Sequence, residues 1–131
     1  MAASGAPLFA DKENIKKALV LLNEGKTKEA IEILNGEIKQ DSDSEPLTYL
    51  ALGMAYIDQG RYGEAQASLE NFLKAKPDSV AGHYTMAMLF EKQKEFAKAK
   101  DSWEKVLLLA HDKDLKELAD KHIKQIANSA P

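Results

Sequence analysis

The chain has 131 residues, with 18 Lys and Arg against 21 Asp and Glu, and no cysteine. This length corresponds to one ordinary domain that can bury a core. The net charge of −3 provides no basic excess for neutralising phosphates, so nucleic-acid binding lacks electrostatic support. The absence of cysteine excludes disulfides, thiolate catalysis and zinc sites built on cysteine ligands.

Membrane insertion and export also lack a sequence signal. No apolar run approaches the roughly 20 residues of a membrane-spanning helix. Residues 1–10 have no basic segment of the kind that opens a signal peptide. We therefore expect a soluble, cytoplasmic protein without a membrane span, with export left open if a targeting segment has been trimmed from the N-terminus.

Segments rich in Ala, Leu, Lys, Glu and Gln predict helices, and no stretch alternates as a strand would. Asp11 opens the first helix, Ser44 is the expected N-cap of the third, and Asp78 or Ser79 caps the fifth. The seven predicted helices run over about 11–24, 27–40, 44–60, 62–75, 79–94, 96–110 and 114–128. Residues 1–10 are predicted as a flexible arm and residues 129–131 as a tail.

The predicted helices form pairs that recur with a fixed period. Ala30, Ala65 and Ala99 each follow an inter-helix turn, and they stand 35 and 34 residues apart. This spacing predicts three helix–turn–helix units, at about 11–43, 44–78 and 79–112, and a capping helix at 114–128. Together they form a single domain over residues 11–128, built as a solenoid.

The repeated residues resemble the tetratricopeptide repeat family, whose pattern is W-x2-L-G-x2-Y, then A-x3-F, then P. The middle unit has Tyr49, Leu52, Gly53, Tyr56, Ala65, Leu69 and Pro77 at these places. The third unit has His83, Met86, Ala87, Phe90, Ala99 and Trp103, with His111 at the proline place. The first unit is degenerate, with Asn14, Lys17, Ala18, Leu21, Ala30, Leu34 and Ser42. The resemblance implies an all-α, right-handed superhelical solenoid of three units with a C-terminal capping helix.

The register of the first unit has two alternatives. Lys17 stands where the other units carry Leu52 and Met86, which suits a first helix with no preceding unit to pack against. A shift by one residue would instead place Ile15, Ala18, Leu19 and Leu22 on the packing stripe. The Gly-x4-Ala turn favours the first alignment, because only that alignment keeps the turn in register.

In such arrays the first helix of each pair lines the concave groove. The groove positions are Ile15, Leu19, Leu22, Leu50, Met54, Ile57, Tyr84, Met88 and Glu91, with Asn23, Asp58 and Lys92 at the groove edge. Eight of the nine groove residues are apolar or aromatic, which predicts a docking surface for an amphipathic helix or an extended apolar peptide. The alternative is that three short repeats partly fill their own groove. Tyr84 is the expected hot spot because it is aromatic and central.

These features predict a non-catalytic protein-interaction module that acts as an adaptor, a scaffold or a chaperone-like protein. Family members resembling the chaperone-tail adaptors hold a terminal carboxylate with Lys, Asn and Arg on the groove helices. The apolar side chains at the matching places of this chain disfavour that use. The alternative function is a homo-oligomeric scaffold, in which grooves or N-terminal arms carrying Pro7-Leu8-Phe9 pack on each other.

An enzymatic role has no support in the sequence. There is no G-x-S-x-G, P-loop or H-E-x-x-H pattern. His83, His111 and His122 occupy packing or helix-end positions, and the carboxylates at 41–45 and 112–114 are interpreted as helix caps rather than a calcium loop. We therefore expect no catalytic residue, metal, cofactor or small-molecule substrate.

Overall fold

The computed structural model describes the backbone of residues 6–40 and 44–129, and the side chains of residues 13–38 and 44–129. These ranges contain α-helices and no strand, which confirms the predicted all-α fold. The helices are α1 (Ala6–Asn23), α2 (Thr27–Gln40), α3 (Pro46–Asp58), α4 (Tyr62–Ala75), α5 (Val80–Lys92), α6 (Phe96–Leu109) and α7 (Lys113–Ser129). None of these described helices combines the length and the apolar character needed to cross a membrane.

The start of α1 differs from the prediction. The helix begins at Ala6 rather than after Asp11, so residues 6–10, predicted as part of a flexible arm, belong to its first turns. Pro7 fits there because the first turn of a helix needs no hydrogen bond from its N–H groups. Residues 1–5 and the side chains of Pro7, Leu8 and Phe9 lie outside the described residues, and the predicted contacts of the arm stay a prediction.

The helices group into two compact units, residues 1–72 (the N-terminal unit) and residues 73–131 (the C-terminal unit). In the N-terminal unit α1 packs on α2, and α3 packs on both. In the C-terminal unit α6 packs between α5 and α7. The single domain predicted over residues 11–128 stays a prediction.

Three inter-helix turns share one backbone geometry. Gly25, Gly60 and Lys94 have φ values of 81°, 72° and 61°, and they lie 35 and 34 residues apart. In each turn the backbone N–H of the next residue donates a hydrogen bond to the carbonyl five residues back. These bonds run from Lys26 to Leu21, from Arg61 to Tyr56 and from Glu95 to Phe90, each at 2.8 Å. This is the Schellman helix end, in which a left-handed residue satisfies the last carbonyls of the helix. The predicted repeat of the turn is therefore present in the backbone.

The first helix of each pair has a small residue, and the second helix has a large residue 16 positions later in the sequence. This combination recurs in all three pairs. The pairs are Ala18 with Leu34, Gly53 with Leu69, and Ala87 with Trp103, and all the described side chains of these pairs are buried. A Cβ atom placed on Gly53 would lie 2.5 Å from Leu69 Cδ2. Such a distance is far shorter than a van der Waals contact. The close approach of α3 to Leu69 is therefore possible only because position 53 has no side chain.

The first unit follows the register that keeps the turn aligned. Ala18 and Leu21 are buried, whereas Lys17 is exposed on the outer side of α1. Asn14 and Glu37 replace the apolar and aromatic residues of the later units, and the Asn14 amide donates a hydrogen bond to the Glu37 carboxylate. A buried polar side chain is stable only with such a partner, so the Glu37 carboxylate allows the polar Asn14 at a pattern position where the second unit has Tyr49.

Helix caps agree with the prediction at two of four places, since α1 continues back past Asp11 to Ala6. The Ser79 hydroxyl accepts a hydrogen bond from the Gly82 N–H at 3.1 Å and so caps α5. The Asp112 carboxylate accepts the N–H groups of Asp114 and Leu115 at 2.7 and 3.2 Å and caps α7. The prediction for α3 was wrong by one residue, because Glu45 occupies the N-cap, with Pro46 directly after it. The Glu45 side chain makes no cap hydrogen bond, and the proline favours the entry into α3 through its fixed φ.

Candidate functional site

The N-terminal unit exposes apolar side chains along α1 and α3. Leu47 and Met54 lie on one stripe of α3 at a spacing of seven residues, and they are 42% and 45% exposed. Leu19 and Leu22 on α1 and Ile57 on α3 are half-buried. We call this surface the α1–α3 face. Two predicted groove residues, Ile15 and Leu50, are buried, so they support the exposed side chains from below.

A pocket of about 230 Å³ opens on the α1–α3 face. Its apolar walls are Ile15 and Leu19 of α1 and Leu47 of α3. Lys16 and Glu45 add one cationic and one anionic group at its rim. The pocket therefore offers an apolar socket with a charge of each sign beside it, which is the arrangement of most protein sites for partner side chains.

Leu47 is not among the groove residues predicted from the sequence. The first unit has no described counterpart for this position, since the side chain of residue 12 lies outside the described range. One signal was present in the sequence: Leu47 precedes Leu50 by three residues and Met54 by seven, which is the spacing of one helix face. Pro46 obscured this signal because it marks the end of a loop as readily as the first turn of a helix.

The predicted edge residues are all exposed, but they differ in their contacts. The Thr27 hydroxyl donates a hydrogen bond to the Asp58 carboxylate at 2.6 Å, which joins the start of α2 to the end of α3. Asp58 thus has a structural partner within the N-terminal unit. Asn23 and Lys92 are exposed residues at the ends of α1 and α5.

An ion pair lies near the second turn of the N-terminal unit. The Arg61 guanidinium donates two hydrogen bonds to the Glu64 carboxylate, at 2.7 and 2.6 Å, and lies 4.7 Å from the centre of the Tyr56 ring. The hydrogen bond from Arg61 lowers the pKa of the Glu64 carboxyl below its ordinary value. Both groups are solvent-exposed, so the pair has little weight in the stability of the unit.

In the C-terminal unit two of the predicted groove residues, Tyr84 and Glu91, contact the single tryptophan. Tyr84, Met88 and Glu91 of α5 are half-buried, and Trp103 of α6 is fully buried. The Tyr84 ring meets the Trp103 ring edge-on, with centroids 5.3 Å apart at 87°. Tyr84, the expected hot spot, therefore has a packing role inside the unit, which adds to any role in binding.

Glu91 connects three helices of the C-terminal unit. Its Oε2 atom accepts a hydrogen bond from the Trp103 indole N–H and lies 2.7 Å from Nδ1 of His122 on α7. The His122 ring stacks on the Trp103 ring, with centroids 4.3 Å apart at 25°. This carboxylate is the one charged group among the nine predicted groove residues, and its partners lie on α6 and α7.

The other histidines have structural places. His83 is buried, and its Nε2 lies 2.7 Å from the Pro77 carbonyl oxygen, to which a ring N–H donates. His111 is exposed in the linker before α7. Among the described residues, no group of three or more His, Asp or Glu side chains is placed to hold a metal ion.

The repeat geometry, the small-to-large packing pairs and the turn register define a protein of helical repeats. A family model for the tetratricopeptide repeat matches residues 50–117, which is more than half of the chain. The protein belongs to the tetratricopeptide repeat family.

A comparison with characterised proteins matches the chain to the rhomboid protease GluP of Bacillus subtilis (strain 168). The two are 34% identical over 85 residues, which make up 65% of this chain and 17% of GluP. The chain therefore spans less than a fifth of the length of that relative.

Solved structures of tetratricopeptide repeat domains share the fold. The translocator chaperone SycD of Yersinia enterocolitica superposes with a TM-score of 0.80 at 19% identity, over 90% of this chain and 92% of SycD. A further structure shows SycD in complex with a peptide of the translocator YopD. The second tetratricopeptide repeat domain of human RPAP3, in complex with an HSP70 peptide, gives a TM-score of 0.78 at 21% identity, over 92% of this chain and 98% of that one.

Proposed function

We propose that the protein is a non-catalytic interaction module that binds an amphipathic helix or an extended apolar segment of a partner protein on the α1–α3 face. The observation that carries this proposal is the exposure of Leu47 and Met54 beside the apolar pocket of about 230 Å³. Each square ångström of apolar surface removed from water contributes roughly 25 cal/mol. A partner that covers this face therefore gains free energy mainly from burial.

The arrangement of the face favours a helical or extended segment over a flat protein surface. Leu47, Met54 and Ile57 follow the axis of α3, while Leu19 and Leu22 follow that of α1. Two rows of apolar side chains on packed helices accept a segment whose own apolar residues recur on one side. The SycD and RPAP3 domains are seen with bound peptides, which supports a peptide-binding role for a chain with the same fold.

The proposal is tested by removing the exposed apolar contacts. A set of short synthetic peptides with apolar residues at i, i+3, i+4 and i+7 is titrated by calorimetry into the wild-type chain and into the Leu47→Gln, Met54→Gln double variant. We expect the double variant to lose about tenfold or more in affinity for the peptide that binds best, because two apolar side chains that the peptide would cover are lost. The melting temperature should change little, since both side chains are already exposed.

A matched control is available at Leu108, which is 81% exposed on α6 and lies outside the face. Leu108→Gln removes the same chemical group and should leave peptide affinity unchanged. Equal losses in Leu108→Gln and in the double variant would contradict the proposal, as would wild-type chain that binds none of the peptides. Light scattering on the same samples shows whether a second copy covers the face: the mass would then rise with concentration, and the double variant would abolish that rise.

A further inference from the structure

A second pocket, of about 150 Å³, lies within the C-terminal unit near the last turns of α5 and α7. Its lining residues are Glu91, Phe96, His122, Gln125, Ile126 and Ser129. No site was predicted here from the sequence as a whole, and the peptide-binding role proposed above does not depend on this pocket.

We propose that this pocket holds a basic side chain, lysine or arginine, of a partner protein, with the cationic head on Glu91 and the aliphatic stem on Phe96 and Ile126. The inference rests on the proposed function, since it specifies the chemistry of the partner that the module takes.

The carboxylate of Glu91 has acceptor capacity left for a cation. Its Oε2 atom accepts from Trp103 and lies within hydrogen-bond distance of His122, and these two partners fix the position of the carboxylate. A carboxylate has about four acceptor sites on its two oxygens. The Glu91 side chain is 25% exposed, so the group remains accessible from the pocket.

The charge around the pocket favours a cation. Among the described residues, the lining contains one carboxylate and neither lysine nor arginine, and His122 adds charge only when protonated. Gln125 and Ser129 supply further oxygens that can accept hydrogen bonds.

The helix ends at the pocket add to this preference. Glu91 lies in the last turn of α5, and Ile126 and Ser129 lie in the last turn of α7. The C-terminal ends of helices carry partial negative charge. Lys92 in the last turn of α5 offsets this charge, whereas α7 has no basic residue in its last turn. The N-terminal end of α6 at Phe96 acts in the opposite sense, but Glu95 lies beside it and pairs with Lys98 at 2.8 Å.

The apolar part of the pocket fits the stem of such a side chain. Phe96 is 46% exposed although it is aromatic, and Ile126 is half-buried on the neighbouring helix. Lysine and arginine side chains lay their methylene groups along apolar surface while the head reaches a polar partner. A partner residue with both parts would cover Phe96 and meet Glu91 at once.

The test uses acetyl-arginine amide as the probe, with acetyl-citrulline amide as the neutral analogue of similar shape. Each is titrated into the 15N-labelled chain, and the resonances of Gln125, Ser129 and the Trp103 indole are followed. We expect saturable shifts with the arginine probe and none with the citrulline probe. The Glu91→Gln variant should weaken binding by about tenfold, because a hydrogen bond to a charged group is lost, while Glu104→Gln, an exposed carboxylate elsewhere on α6, should not.

Two further results make the test decisive. Phe96→Ser changes an exposed residue, so it keeps the fold and should still weaken the arginine probe if the stem lies on this ring. Equal binding of the arginine and citrulline probes, preference for acetyl-glutamate amide, or unchanged affinity in Glu91→Gln would overturn the inference. These outcomes leave the Leu47 and Met54 experiment unaffected, so failure here is distinguishable from failure of the proposed function.

Discussion

The N-terminal and C-terminal units meet the same packing requirement with different side chains. Leu69 fills the space opposite Gly53 in the first, whereas the equivalent places in the second hold Ala87 and the larger Trp103. Trp103 carries an N–H that needs an acceptor, and its ring offers two faces and an edge. Tyr84, Glu91 and His122 supply those contacts.

The difference shows how one large aromatic residue in a repeat changes the chemistry of its neighbours. In the C-terminal unit Tyr84 and Glu91, which were predicted to face a partner, both contact Trp103. In the N-terminal unit the aliphatic Leu69 makes no such demand. The contacts of Tyr84, Glu91 and His122 thus follow from the tryptophan that stands where the N-terminal unit has a leucine.

The largest expected effect comes from removing the acceptor of Trp103. Glu91→Ala leaves the buried indole N–H unsatisfied, and such a loss costs about 1–3 kcal/mol. Urea denaturation followed by circular dichroism measures the change in the free energy of unfolding. Glu104→Ala, which removes an exposed glutamate of the same unit, should shift the midpoint little; equal shifts in both variants would mean that the Glu91 contact has no special weight.

A smaller effect is expected from filling the close approach in the N-terminal unit. Gly53→Ala places a Cβ against the buried Leu69 side chain, and overpacking of this kind costs about 1–3 kcal/mol. The alanine recovers about 1 kcal/mol through its higher helix propensity, so we expect a net loss of stability by thermal denaturation.

Gly36→Ala is the matched control for that experiment, because no atom lies within 4 Å of the added Cβ in α2. It should raise the melting temperature through helix propensity alone. A rise of similar size in Gly53→Ala would show that Leu69 yields easily, and the contrast between the two units would lose its packing basis.

The smallest of the three effects concerns the turns. Lys94 has a φ of 61° where Gly25 and Gly60 stand in the N-terminal unit. A side chain in this conformation costs roughly 1 kcal/mol, so Lys94→Gly should stabilise the C-terminal unit by about that amount. Gly60→Ala should destabilise the chain to a similar extent. In calorimetry the melting temperature should therefore rise in Lys94→Gly and fall in Gly60→Ala. Unchanged melting temperatures would mean that the turn tolerates a side chain without strain.

The repeat fold was predictable because its signals are local. The turn at Gly25, Gly60 and Lys94 is set by neighbouring residues, and its period is visible in the alanines that follow it. The start of α1 was not predictable, since Asp11 is a good N-cap and the helix nonetheless continues back to Ala6. Intrinsic preferences of single residues do not decide between such nearby boundaries.

The candidate sites were predictable only in part. The period places Met54 and Tyr84 on the same side of their helices, but it does not say how α7 lies on α6. The contacts of Glu91 depend on that packing, because His122 belongs to a helix outside the three repeats. Leu47 was missed for a simpler reason, since the proline before it conceals the start of the apolar stripe.

Trp103 also has a consequence for spectroscopy. It is the one tryptophan of the chain, it is shielded from water, and Tyr84 lies close enough to pass excitation energy to it. Fluorescence excited selectively at tryptophan therefore reports on the C-terminal unit alone, because the N-terminal unit contains no tryptophan. Denaturation curves from this emission and from backbone ellipticity would coincide if the two units melt as one and separate if they melt in turn.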